Sequence, residues 1–143
     1  MKKILILLFA ALGLFSCKKT PDAISVPYET ANNYFAYVDV SSPTTRKLMD
    51  QASFESMFDY AWTMGSEETP LDFDKEFVIA VVYPSTYDRT TITPVSLVKE
   101  EGSLIFTYSE KIGERLSSSR RPFLILRVDR QYDAPLQVIK VQD

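Results

Sequence analysis

The sequence predicts a mainly β (α+β) domain: an antiparallel six- or seven-stranded barrel or sandwich with one early α-helix. Three observations carry this. From Tyr34 onward, short runs of β-branched and aromatic residues follow one another through clusters of turn formers. One stretch, around residues 53–62, has apolar side chains at helical spacing instead. No further helical pattern alternates with the strands, so a parallel sheet with crossover helices is not expected.

The chain opens Met1-Lys2-Lys3 and then runs apolar for twelve residues, Ile4 to Phe15. A helix crossing a bilayer core needs about 20 apolar residues. Two lysines, a short apolar run and small residues are instead the pattern of a secretory signal peptide. Leu14-Phe15-Ser16-Cys17 resembles the lipobox of bacterial lipoproteins, with the bulky Phe15 as a departure at a tolerant position. In that pattern the cysteine sulfur carries a diacylglyceryl group, and cleavage makes the cysteine the new N-terminus. Buried acyl chains contribute about 0.8 kcal/mol per methylene, and two or more chains hold a protein firmly at a membrane. The Cys17-Lys18-Lys19 start is similar to many Bacteroidetes lipoproteins, without the acidic run often found there. The expected organisation is therefore a signal peptide over 1–16, a lipidated Cys17 with a flexible tether over 17–33, and a single β-rich domain over 34–143. The expected location is the outer membrane, on its periplasmic face or at the cell surface.

Composition narrows the function classes. Cys17 is the only cysteine, so no disulfide framework is available. There is no histidine, which removes Ser-His-Asp and Cys-His devices, imidazole zinc sites and the usual proton shuttle near neutral pH. Without Lys2 and Lys3 the balance is 14 basic against 19 acidic residues, a net of −5. A mildly acidic chain with no basic stripe is not expected to bind nucleic acid. No cofactor is expected.

Within the tether, Lys18 to Asn33, two prolines and few large apolar residues give no period. "YFAYVDV", Tyr34 to Val40, reads as the first strand and Ser41 to Thr45 as a turn. Ser53 is placed to cap the helix, Phe54, Met57, Phe58, Ala61 and Trp62 form its core stripe, and Gly65 closes it. "FVIAVVY", Phe77 to Tyr83, is apolar at every position and predicts a strand buried on both faces. "TTITPVSLVKE" follows as a strand, with Pro94 marking an edge or a bulge. Glu101-Gly102 signals a hairpin, and Leu104, Phe106 and Tyr108 alternate beyond it. "EKIGERLSSSRR" reads as a long polar loop. "PFLILRVD" and "LQVIKVQ" are the last strands.

The order of these parts resembles a family of C-terminal domains found in a protein of bacterial protease complexes and in small bacterial lipoproteins. "FESMFDYAW" stands for its aromatic helix, "PLDFDKEFVIAVVY" for its lead-in and buried strand, "TTITPVSLVKEEGSLIFTYSE" for its hairpin and "RRPFLILRVDR" for its Pro-aromatic strand. The resemblance covers about Tyr34 to Val141. Where family members carry a Thr-Gly-Gly-Tyr-like turn, this chain has "PSTYDRTT". The resemblance implies a binding or accessory module rather than an enzyme.

Candidate chemistry is sparse. Ser96-Leu97-Val98-Lys99 fits a Ser-x-x-Lys pattern, but on a strand residues three apart point to opposite faces. Asp72, Asp74 and Glu76 alternate as calcium ligands do, yet the glycine and distal glutamate of a calcium loop are missing, so a solvated rim is expected and no metal. Arg115, Arg120 and Arg121 lie in the Ser-rich segment, and Tyr87 and Arg89 in the turn after the buried strand. Tyr and Arg are enriched at binding hot spots, so these five residues are the expected partner contact. The function expected is a lipid-anchored, non-catalytic interaction module with an envelope protein partner. The alternative is a small-ligand or glycan-binding β domain, with a barrel cavity or an aromatic platform as its site.

Overall fold

A computed structural model of the chain describes residues 22–62 and 65–142. Cys17 and the signal segment lie outside the described residues. The fold is a β-sandwich, and the barrel alternative does not apply because the sheets do not close on each other. The strands are β1 (Ile24–Ser25), β2 (Glu29–Thr30), β3 (Tyr34–Ala36), β4 (Thr44–Leu48), β5 (Phe58–Tyr60), β6 (Glu76–Val82), β7 (Thr86–Glu100), β8 (Ser103–Arg120), β9 (Phe123–Asp129) and β10 (Leu136–Gln142). The helix α1 spans Gln51–Glu55, and a 3-10 turn spans Arg130–Tyr132.

One sheet has the order β1-β7-β8-β10 and the other β2-β9-β6-β4, with β3 and β5 as a separate pair. The middle layer is the second sheet. Phe77, Ile79, Val81, Leu124, Leu126 and Val128 point from it toward Leu97, Leu104, Phe106 and Tyr108 of the first sheet. Val78, Ala80, Val82 and Ile125 point the other way, into a second core closed by Tyr34, Phe54, Met57 and Phe58. This is why "FVIAVVY" shows no polar alternation: β6 is covered on both faces, and every residue of it is buried.

The two sheets arise from one folded ribbon. Val82 pairs with Phe123, the Tyr83 N–H donates to the Pro122 carbonyl at 2.9 Å, and Thr86 pairs with Arg120. Thus β6 runs into β7 and β8 into β9 at the same end, as one antiparallel ribbon bent across itself. The bend holds Pro84, Pro122 and two register shifts, between Thr86 and Asp88 and between Asp88 and Thr90. Extra residues on one strand bend and twist it, which is how strands pass from one sheet to another. The ribbon's far end is the Glu101-Gly102 turn, where both residues have positive φ (48° and 76°), as the tight hairpin signal anticipates. Pro94 sits at a third register shift, as expected of a proline bulge. Strand β10 returns toward the bend, in the direction of β8, and so makes the parallel pair of an otherwise antiparallel set.

Several expectations are corrected. The tether is part of the fold from Ile24 onward. Ile24 and Ser25 pair with Lys99 and Val98, Glu29 and Thr30 pair with Arg127 and Leu126, and Val26 is only 2% exposed. Pro27 lies where this segment crosses from one sheet to the other, so the proline marks a crossover rather than a free linker. The helix is five residues, not ten. Asp50 caps it, accepting from the Ser53 N–H at 2.8 Å, so Ser53 is the donor and not the cap. It stops because Phe58, Asp59 and Tyr60 pair with Ala36, Phe35 and Tyr34. Phe54, Met57 and Phe58 do enter the core, whereas Trp62, beyond β5, is 97% exposed. Gly65 adopts positive φ, but in the loop after β5. The polar stretch 110–120 is strand, not loop, and β4 begins inside the expected turn, at Thr44.

Candidate functional site

The bend of the ribbon brings together all five predicted contact residues. Tyr87 and Arg89 are two apart on β7, so their side chains project from the same face. Both are exposed, as is Arg115 on β8. The register places Asp88 opposite Arg115, and the two side chains meet at 3.9 Å. The Arg115 guanidinium also lies over the Tyr87 ring, 5.0 Å from its centroid. Arg89 pairs with Glu114 at 3.0 Å. Gly113 is what lets β8 pass this close: a Cβ there would lie 3.3 Å from the Arg89 carbonyl oxygen and 3.6 Å from its Cβ.

Beside these pairs is a groove of about 510 Å³ lined by Asp88, Arg89, Thr90, Leu116, Arg120, Arg121, Pro122 and Phe123. Arg120 is exposed and forms no ion pair among the described residues. Arg121 differs from the other four residues. Its side chain is 19% exposed, bonds the Ala36 carbonyl at 3.4 Å and pairs with Asp39 at 3.2 Å. It therefore braces the end of β3 against the bend, and its own Nε is buried with no hydrogen-bond partner. The remaining ion pairs are solvent-exposed and each worth about 0–1 kcal/mol, so a partner's carboxylates can displace them at small cost. Four guanidinium groups against the three carboxylates of Asp39, Asp88 and Glu114 make this end locally positive on a chain of net charge −3.

Other sequence candidates fall apart geometrically. Asp72 accepts from the Asp74 N–H at 3.1 Å and pairs with Lys75 at 3.0 Å, and chiefly the Lys75 contact holds its carboxyl below the usual range. Glu76 turns inward to Arg127 instead, with Nε at 3.0 Å from Oε2 and 3.2 Å from Oε1, and accepts the Asp72 N–H at 2.8 Å. The three carboxylates serve different partners, and no metal-holding group occurs among the described residues. The space between the sheets, where a barrel cavity was an alternative, is occupied by Phe77, Leu104, Phe106 and their neighbours.

What sequence reasoning missed is the partnership of each arginine. Glu114 and Asp88 face Arg89 and Arg115 only because of the register shifts, and nothing local in "GERLSSSRR" encodes that offset. It also missed a second concavity, on the β3–β5 layer, whose aromatic residues read in sequence as core. Comparison of the chain with protein-family models, with curated proteins and with solved structures finds no match.

Proposed function

We propose that this chain is a lipid-anchored lipoprotein of the bacterial outer membrane that acts as a non-catalytic interaction module. Its contact surface is the bend of the ribbon. The assembly suggested by the sequence resemblance is an envelope protease complex, with this chain as an accessory component.

The observation that carries the reading is the exposure of this bend. Ordering a residue's backbone costs roughly 1–2 kcal/mol, and a two-stranded ribbon without a covered face is marginal on its own. Residues 111–120 are almost all exposed, and 86–91 alternate between half-buried and exposed. The segment recovers little by burial, yet it is built in regular pairs that present Tyr87, Arg89, Arg115 and Arg120. A large amphipathic ring with guanidinium groups beside it is the composition of a binding hot spot. The complementary partner offers carboxylates around an apolar centre, which would meet Arg115 and Arg120 bidentately and cover Tyr87.

A photo-crosslinking residue in place of Tyr87, compared with one in place of Lys75, tests this in intact envelopes. One defined protein adduct is expected from position 87 and none of that size from position 75. Equal adducts at both positions, or none at either, would contradict the proposal.

A further inference from the structure

The outer layer carries a second concavity built from different residues. It holds about 280 Å³ and is lined by Tyr34, Tyr37, Gln51, Phe54, Glu55, Phe58, Asp59 and Tyr60. That is just under the roughly 300–1,000 Å³ typical of clefts for drug-sized ligands, so it suits a head group rather than a large molecule. Three elements build it. The β3–β5 register sets Tyr34 directly opposite Tyr60, with ring centroids 5.5 Å apart. Helix α1 supplies Phe54, edge-on to Tyr34 at 5.1 Å and 85°, and Phe54 stacks in turn on Phe58 at 5.1 Å. Tyr37 is tied to the end of α1 by a hydrogen bond from its hydroxyl to the Glu55 carbonyl.

The polar lining has one sign. Glu55 and Asp59 are the charged residues, and no lysine or arginine lines the concavity. Neither carboxylate takes part in an ion pair among the described residues. Glu55 Oε1 accepts from the Gln51 amide at 2.7 Å, and Asp59 Oδ1 from the Tyr60 N–H at 2.8 Å, so each is held in place by a neutral donor. The Tyr34 hydroxyl is committed to the Thr69 carbonyl at 2.6 Å, so Tyr34 contributes its ring, not its hydroxyl.

π-faces and fixed, uncompensated carboxylates in one small concavity are the two features that recognise an organic cation. The ring quadrupoles attract positive charge, and more strongly where water is partly excluded. We propose that this concavity binds the ammonium group of a small organic cation, a quaternary or alkylated ammonium, with Tyr34, Tyr60 and Phe54 as the aromatic wall and Glu55 and Asp59 as counter-charges. Charge complementarity commits the site to this occupant. A neutral sugar would stack on the rings but would leave two carboxylates uncompensated, and an anion would be repelled.

The test uses choline and its neutral carbon isostere, 3,3-dimethylbutan-1-ol, at matched ionic strength, with binding to the detergent-solubilised full chain followed by calorimetry and by NMR shifts. Choline is expected to saturate, to bind about tenfold more tightly than the isostere, and to shift the Tyr34, Tyr60 and Phe54 resonances most. The exposed substitutions Tyr60→Ala and Glu55→Gln, in protein whose circular dichroism is unchanged, should each weaken binding several-fold. Equal binding of choline and the isostere would overturn the proposal, because it would mean an apolar site only. So would saturable binding of N-acetylglucosamine in place of choline, shifts centred elsewhere, or no saturation by choline at all.

Discussion

Replacing Val26 with alanine should destabilise the domain by roughly 2–3 kcal/mol, although Val26 lies in a segment that reads as a tether. The magnitude follows from its surroundings. Val26 is buried in the core between the two sheets with Phe77, Leu97 and Leu126, and its N–H donates to the Leu97 carbonyl at 2.9 Å. The substitution keeps that bond and deletes two buried carbons. At about 0.8 kcal/mol each the transfer loss is roughly 1.6 kcal/mol, and incomplete collapse of the resulting cavity adds to it. For a domain of about 120 residues this corresponds to a fall in Tm of about 8–12 °C. Ile24→Ala, two residues away and 56% exposed, is the internal control and should change stability by about 0.5 kcal/mol or less. Urea denaturation of both variants and the wild type, with the slope m checked for constancy, measures the difference. If Val26→Ala is as stable as Ile24→Ala, the segment 22–33 is not integrated in the sandwich, and the reasoning from its pairing is refuted.

The other expectations concern charge, pH and anchoring. Arg127→Met leaves the buried Glu76 carboxylate without its bidentate partner and should cost about 3 kcal/mol in thermal or urea unfolding, while Arg127→Met combined with Glu76→Gln should cost less because no bare charge remains. Burial, followed by the neighbouring Tyr60 and Glu68, pushes the Tyr34 hydroxyl up to about 12. The folded value lies above the unfolded one of about 10, so its contribution is complete below pH 10 and is lost as the pH rises through 12. Tyr34→Phe should therefore flatten the fall of the urea midpoint between pH 10 and 12, and an unchanged slope would contradict this. Labelled palmitate should enter the wild-type protein in a bacterial host and not the Cys17→Ser variant. Equal label in both would remove the lipid anchor from the proposal.

The legible parts of the fold are those whose burial is written locally. Strand β6 announces two covered faces by being apolar throughout, and Leu104, Phe106 and Tyr108 announce one covered face by alternating. Glu101-Gly102 fixes the hairpin because two successive positive φ angles demand such residues. The illegible parts lack a local pattern for a physical reason. Strands β1 and β2 are two residues each, too short for a period, and they are held by backbone bonds to distant partners. The 111–120 segment shows no apolar alternation because it covers no core, so its strand character comes from pairing with β7 alone. Helical spacing continues through Trp62, but Phe58 to Tyr60 gain more from pairing with β3 than from another helical turn, and that pairing carries Trp62 into solvent. At the candidate site, Tyr87 and the arginines stand out by type. Their mutual contacts depend on register shifts that only the folded ribbon defines.

The central proposal is that the bend is a surface that holds a protein. Charge reversal at two exposed positions, Arg115→Glu with Arg120→Glu, followed by co-purification from solubilised envelopes, tests this most directly. The expected result is an unchanged Tm, because the Asp88–Arg115 pair is exposed and worth little, together with loss of the envelope partner recovered with the wild type. Full recovery of the same partner by the folded, charge-reversed protein would contradict it.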